Sequence, residues 1–145
     1  MKPNGPIPAT DTSLRPAPPP ARPLVLLLDD EESILQPTAT YFRRQGCEVD
    51  TAREPEEAEA LILHRSYDLA ILDLRVNAVG GAAGLEVLRE LRRHDEATSV
   101  IVLSAYISTE VEAEAWALGA DFVVSKPQPL PDLAQMALAL IGSKR

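Results

Sequence analysis

An α/β fold, with strands and helices alternating around a parallel sheet, is predicted by three features of this 145-residue chain. From Leu24 onward, five short apolar runs alternate with amphipathic stretches. The first run, Leu24 to Leu28, is unbroken, as expected of a strand covered on both faces. Acidic or other polar residues stand just past the ends of these runs rather than inside them. The length fits one domain, which at this size buries roughly two-thirds of the surface its unfolded form exposes.

The segment before the first strand reads differently. Met1 to Pro23 holds eight of the thirteen prolines, and the run Arg15-Pro-Ala-Pro-Pro-Pro-Ala-Arg-Pro23 favours extended or disordered backbone, because proline fixes φ and removes amide donors. Its spacing admits a PxxP-type ligand for an adaptor domain, but the composition is that of a solvated leader. Residues 1–23 are therefore expected to be a disordered tail and 24–145 the folded domain.

Glu31 to Gln45 reads as the first helix, closed by Gly46. Pro37 inside it should bend the first turns or move the helix start toward Ser33. Cys47 to Ala52 is the second strand. Glu54 to Arg65 follows as a helix, with Pro55 at its first position and Ala58, Leu61 and Ile62 on one face. Leu69 to Leu72 is the third strand. A loop with Gly80, Gly81 and Gly84 leads to the helix Leu85 to Arg93, whose Leu85, Leu88 and Leu91 point inward. Val100 to Leu103 is the fourth strand, Thr109 to Leu118 a helix ended by Gly119, Phe122 to Val124 the fifth strand and Leu130 to Ile141 the last helix.

Composition excludes several classes. The tail sets Lys2, Arg15 and Arg22 against Asp11, while the remainder carries 21 acids against 11 bases, a formal −10. Such a domain does not attract phosphate backbones, so no nucleic-acid binding is expected of it. Cys47 is the single cysteine, which removes intrachain disulfides and cysteine metal clusters and leaves a small buried filler. No run approaches the roughly 20 apolar residues that span a bilayer, and a cytoplasmic protein is expected. His64 and His94, near helix C-termini, read as solvated.

In open parallel sheets ligands bind beyond the carboxyl ends of the strands. Asp29 and Asp30 follow the first strand, Asp73 the third, Ser104 the fourth and Lys126 the fifth, so five polar side chains should gather at one pole. Two carboxylates about 4 Å apart repel by roughly 4 kcal/mol at an effective dielectric near 20, so such acids need a cation or must hold protons. With no histidine or cysteine among them, oxygen ligation points to Mg²⁺ or Mn²⁺. A carboxylate can attack phosphorus, and the metal, the Lys126 ammonium and the Ser104 hydroxyl could then share the charge on three phosphoryl oxygens.

Four ordered motifs carry a resemblance: Val25-Leu-Leu-Leu-Asp-Asp-Glu31, Leu69-Ala-Ile-Leu-Asp-Leu74, Ile101-Val-Leu-Ser-Ala105 and Gly119-Ala-Asp-Phe-Val-Val-Ser-Lys-Pro127. Together they resemble the receiver domain of bacterial two-component response regulators, over Leu24 to the end. The resemblance implies a flavodoxin-like, doubly wound sheet of five strands in the order 2-1-3-4-5 with five helices. It implies Asp73 as the phosphorylated residue, with metal held by Asp29, Asp30, Asp73 and the backbone carbonyl of Arg75. Ser104 would be the switch hydroxyl, and Lys126 would pair with the phosphoryl group ahead of a cis bond to Pro127. The phosphoryl donor would be a histidine kinase or phosphotransfer protein.

The chain departs from that family in two places. No proline stands four residues after Asp73, and the glycine nearest the next helix, Gly84, comes about three residues late. Val123 stands where an aromatic usually swings inward, with Phe122 shifted to the opposite face and Gln128 in place of a common Phe; Tyr106 could gate the site instead. Output is expected through protein contacts, or the function is phosphoryl relay or drainage, since the sequence stops after the last helix; a truncated piece of a longer regulator is the alternative. The downstream target is unspecified; a monomer that dimerises at most on phosphorylation is expected. The chain should catalyse only its own phosphorylation and dephosphorylation. Two other readings stand beside this one: a degenerate interaction module that keeps the fold, and a metal-dependent phosphohydrolase, which would want an acid where Arg75 lies.

Overall fold

The unbroken apolar run forms β1 (Leu24–Leu28). In the computed structural model, which describes residues 21–74, 83–105 and 107–144, this strand lies between two parallel neighbours. Along the chain follow α1 (Glu32–Arg44), β2 (Glu48–Ala52), α2 (Pro55–His64), β3 (Leu69–Asp73), α3 (Ala83–His94), β4 (Ser99–Ser104), α4 (Thr109–Ala117), β5 (Phe122–Ser125) and α5 (Leu130–Lys144). Every strand pair is parallel and the order is β2-β1-β3-β4-β5, the flavodoxin-like arrangement expected.

Alternation along each strand divides the core into two layers. Leu26, Leu28, Ala70, Leu72, Val100 and Val102 face α2, α3 and α4, meeting Ile62, Leu88 and Ala115. Val25, Leu27, Leu69, Ile71, Ile101 and Leu103 face α1 and α5, meeting Phe42 and Ala137. Helices on both faces explain why β1, β3 and β4 are apolar at almost every position. Cys47 is buried in the second layer, and His64 and His94 are exposed, as expected.

Most boundaries fall within two residues of expectation, and α5 runs three residues past Ile141. Gly142 and Ser143 carry no apolar signal, yet the helix continues through them. Pro37 has not moved the start of α1 toward Ser33: the helix begins at Glu32 and carries the proline inside it. Proline has no amide to offer the Ser33 carbonyl. The next residue, Thr38, donates its hydroxyl to the Ile34 carbonyl at 2.7 Å. Gly46 and Gly119 follow α1 and α4 with φ of +96° and +84°, a left-handed conformation that a Cβ disfavours.

Pro23 is already joined to the sheet, its carbonyl accepting from the Glu48 amide at 2.8 Å. Of the expected tail, residues 1–20 lie outside the described residues. Among the described residues no helix is long and apolar enough to cross a membrane.

Candidate functional site

Parallel strands end together, so the residues at their carboxyl ends share one pole. Asp29 directly follows β1, Asp73 is the last residue of β3, Ser104 the last of β4, and Lys126 directly follows β5. Main-chain bonds fix these ends: the Asp29 amide donates to the Ala52 carbonyl at 3.1 Å, Leu74 to Leu103 at 3.1 Å, and Lys126 to Ser104 at 2.9 Å. Asp29, Asp73 and Ser104 are 6, 4 and 2% exposed, so the polar groups of the site lie inside its floor.

One ammonium joins the two sides. Lys126 Nζ donates to Asp29 Oδ2 at 2.8 Å and to Asp73 Oδ2 at 3.2 Å, with Glu31 Oε1 at 3.9 Å. Burial by itself would lower the lysine's pKa. The hydrogen bond with Asp29 and the charges of Asp73 and Asp29 outweigh it, so the pKa lies above the ordinary lysine value and the group stays charged. The bond from Lys126 to Pro127 is cis, as the resemblance implied.

Asp29 also serves the backbone. Its Oδ1 accepts from the Glu31 amide at 2.9 Å, while Glu31, the N-cap residue of α1, makes no side-chain cap of its own. This bond closes a turn two residues long ahead of α1 and leaves Oδ2 to Lys126. Oxygens of Asp29, Asp30 and Glu31 lie within 4.8 Å of one another; Glu31 was not among the expected acids Asp29, Asp30 and Asp73. The signal for Glu31 was its place directly after the Asp-Asp pair.

These donors suit a hard divalent cation. One ammonium faces two buried carboxylates with Asp30 and Glu31 beside them, so negative charge is in surplus, and every side chain in the cluster offers oxygen. Arg75, whose carbonyl was expected to join the metal, lies outside the described residues, as do Tyr106 and the rest of 76–82.

The faces of β5 follow expectation. Val123 packs with the layer under α4, whereas Phe122 packs with the layer under α1 and α5. Gln128 turns to the main chain, its amide donating to the Ser125 carbonyl at 3.1 Å.

Known proteins agree with this architecture. Residues 25–138 match the family described as the response regulator receiver domain, and the chain belongs to that family. The regulatory protein AtoC of Escherichia coli is 32% identical over 124 residues, 83% of this chain and 26% of AtoC. The two-component response regulator PhoP of Pseudomonas aeruginosa is 31% identical over 117 residues, 81% of this chain and 51% of PhoP. The chain thus spans about a quarter to a half of these relatives' length.

Among solved structures, the Francisella response regulator 1452 receiver domain is 31% identical with a TM-score of 0.74, covering 86% of this chain and all of that one. A Burkholderia pseudomallei response regulator, solved with a phosphorylated aspartic acid, calcium ion and citrate, is 25% identical with a TM-score of 0.70, covering 77% of this chain and 64% of that one. A CheY-like receiver domain protein of Methanospirillum hungatei shares the fold, with a TM-score of 0.79 at 24% identity over 85% of this chain and 96% of that one.

Proposed function

We propose that this receiver domain accepts a phosphoryl group on Asp73 from a histidine kinase or phosphotransfer protein, with Mg²⁺ or Mn²⁺ held by Asp29, Asp30, Asp73 and the backbone carbonyl of Arg75. The observation that carries the reading is the ammonium of Lys126 shared by the buried carboxylates of Asp29 and Asp73 at the carboxyl pole of the sheet. The Burkholderia pseudomallei relative with a phosphorylated aspartic acid supports the same chemistry.

In the proposed step an Asp73 carboxylate oxygen attacks the phosphorus of a donor phosphohistidine. The new P–O bond forms as the P–N bond breaks, and its electron pair leaves on the imidazole nitrogen. Lys126, released from part of its contact with Asp73, pairs with a phosphoryl oxygen, and the Ser104 hydroxyl donates to another. Asp29 keeps Lys126 in place through Oδ2. The bound cation would supply further neutralisation of the phosphoryl charge.

Phosphorylation would be read out by protein contacts on the α4–β5–α5 region, in a cytoplasmic protein that is monomeric before phosphorylation. Residues 1–23 are taken as a tail that meets this unit at Pro23, whose carbonyl already bonds the Glu48 amide. Self-phosphorylation and dephosphorylation are the only reactions assigned to it. Incubation with acetyl phosphate and Mg²⁺, followed by intact mass, tests the reading: one phosphate should add to the parent and none to Asp73→Asn. A folded parent that binds Mg²⁺ and gains no mass would leave a degenerate interaction module instead.

A further inference from the structure

α4 is thinly packed. Ala115 is its one buried residue, Val111 and the following Leu118 are partly buried against the core, and Trp116 is 46% exposed. A nine-residue helix with so little apolar burial depends on polar ties for its position. Those ties come from α3.

Arg92, in the last turn of α3, is half-buried and spends its guanidinium on main-chain carbonyls. Nε donates to Leu118 O at 2.7 Å and Nη2 to Gly119 O at 2.9 Å. Nη1 faces Thr98 O at 2.9 Å, with Asp95 O at 3.2 Å and Glu96 O at 3.3 Å. One planar group with five N–H donors thus joins the carboxyl end of α4 to the loop that leads into β4. A Cβ at Gly119 would lie 3.2 Å from Arg92 Nε, so a glycine here leaves the guanidinium its room.

The fixation continues into β5. The Asp121 amide donates to Val100 O at 2.8 Å, and Asp121 Oδ2 accepts from Val100 N at 2.9 Å. A second arginine of α3, Arg89, pairs with Glu114 in the latter half of α4. At the amino end, among the described residues, the cap is local: Ser108 Oγ accepts from the Val111 amide at 3.2 Å. Residues 105–107 connect that end to Ser104.

We propose that Arg92 is a positioning residue that makes α4 a lever held at one end: the guanidinium fixes the Leu118–Gly119 turn to α3 and β4, so displacement arising at Ser104 moves the Ser108–Glu112 end. Val123, beneath α4, offers no bulky side chain to swing. The lever rests on the phosphorylation reading above; the pin does not.

Hydrogen exchange read by mass spectrometry on the full chain separates the two. Without a phosphoryl donor, Arg92→Met should exchange amides 118–121 about tenfold faster than the parent and leave 109–112 nearly unchanged, with Arg92→Lys in between, since an ammonium cannot span both carbonyl sets. With acetyl phosphate and Mg²⁺, the parent should change over 105–112 and not over 118–121, whereas Arg92→Met should change over both. Circular dichroism checks that each variant is folded; Arg92→Lys serves should the methionine variant not fold. Parental protection at 118–121 in a folded Arg92 variant, or equal phosphorylation-dependent change at both ends of the parental helix, overturns the proposal. A parent that takes up no phosphate sinks the reading of Asp73, while the comparison without donor still decides the pin.

Discussion

Gly84, near the start of α3, lies so close to Asp73 that a Cβ on it would sit 2.5 Å from the Asp73 carbonyl oxygen and 2.5 Å from Leu74 Cα. Both obstacles are main chain at the floor of the site, so neither can turn aside. Gly84→Ala should therefore lose about 1–3 kcal/mol of stability in urea unfolding, the usual cost of overpacking. It should also slow acetyl phosphate uptake, because the displaced backbone is that of the proposed acceptor. Gly142→Ala is the contrasting substitution: nothing lies within 4 Å of its Cβ position in α5, and it should be neutral or stabilise by up to about 1 kcal/mol.

Lys126→Met would leave the carboxylates of Asp29 and Asp73 without the ammonium they share. All three side chains are nearly buried, so the loss at pH 7 should be on the order of 3 kcal/mol in urea unfolding. For the parent the lysine pKa is raised on folding, so its contribution is complete below the ordinary lysine value near 10.4 and disappears as pH climbs through the higher folded value. The gap between parent and Lys126→Met should accordingly narrow in strong alkali. A gap unchanged across this range would argue against the shared ammonium.

Much of the site was readable because a parallel sheet turns sequence position into place. Once Leu24–Leu28, Leu69–Leu72 and Val100–Leu103 are recognised as strands, the residues after them must meet at one pole, as Asp29, Asp73 and Ser104 do. The same alternation sent Phe122 and Val123 to opposite layers. What stayed hidden depends on contacts that have no residue code. The partners of Arg92 are main-chain carbonyls, which any residue supplies, and the approach of Gly84 to Asp73 exists only after α3 has docked. Pro37 lies inside the expected helix without moving its start: the local preference of proline is outweighed where Leu35, Ala39 and Phe42 are buried.

Tyr67 links the edge strand to the core, its hydroxyl donating to Asp50 Oδ2 at 2.7 Å beside the Arg65 ion pair. Burial, then the bond to Asp50 and its charge, raises the phenol far above its usual range. A raised folded pKa means stability that is full below the unfolded value of about 10 and is lost as pH rises through the folded one. In the folded protein at about pH 10.5, Tyr67→Phe should therefore leave the phenolate absorbance unchanged, and at pH 7 it should cost about 1 kcal/mol. A drop in phenolate absorbance in the folded variant would show that Tyr67 ionises in the ordinary range.

If the proposed cation takes the Asp29 oxygen that Lys126 holds, two substitutions should shift its affinity in opposite directions. Asp30→Asn removes one carboxylate from the cluster formed with Asp29 and Glu31, and Mg²⁺ affinity should fall about tenfold, roughly 1.4 kcal/mol. Lys126→Met removes a positive charge 2.8 Å from Asp29 Oδ2, so the same titration should show tighter binding, by a similar factor. Both can be followed by calorimetry on folded protein without any phosphoryl donor. If the cation sat elsewhere, the two variants would bind it like the parent; if it were held by Asp29 but away from the ammonium, only the loss of Asp30 would register. Opposite shifts are the outcome that ties the metal, Asp29 and Lys126 to one pocket.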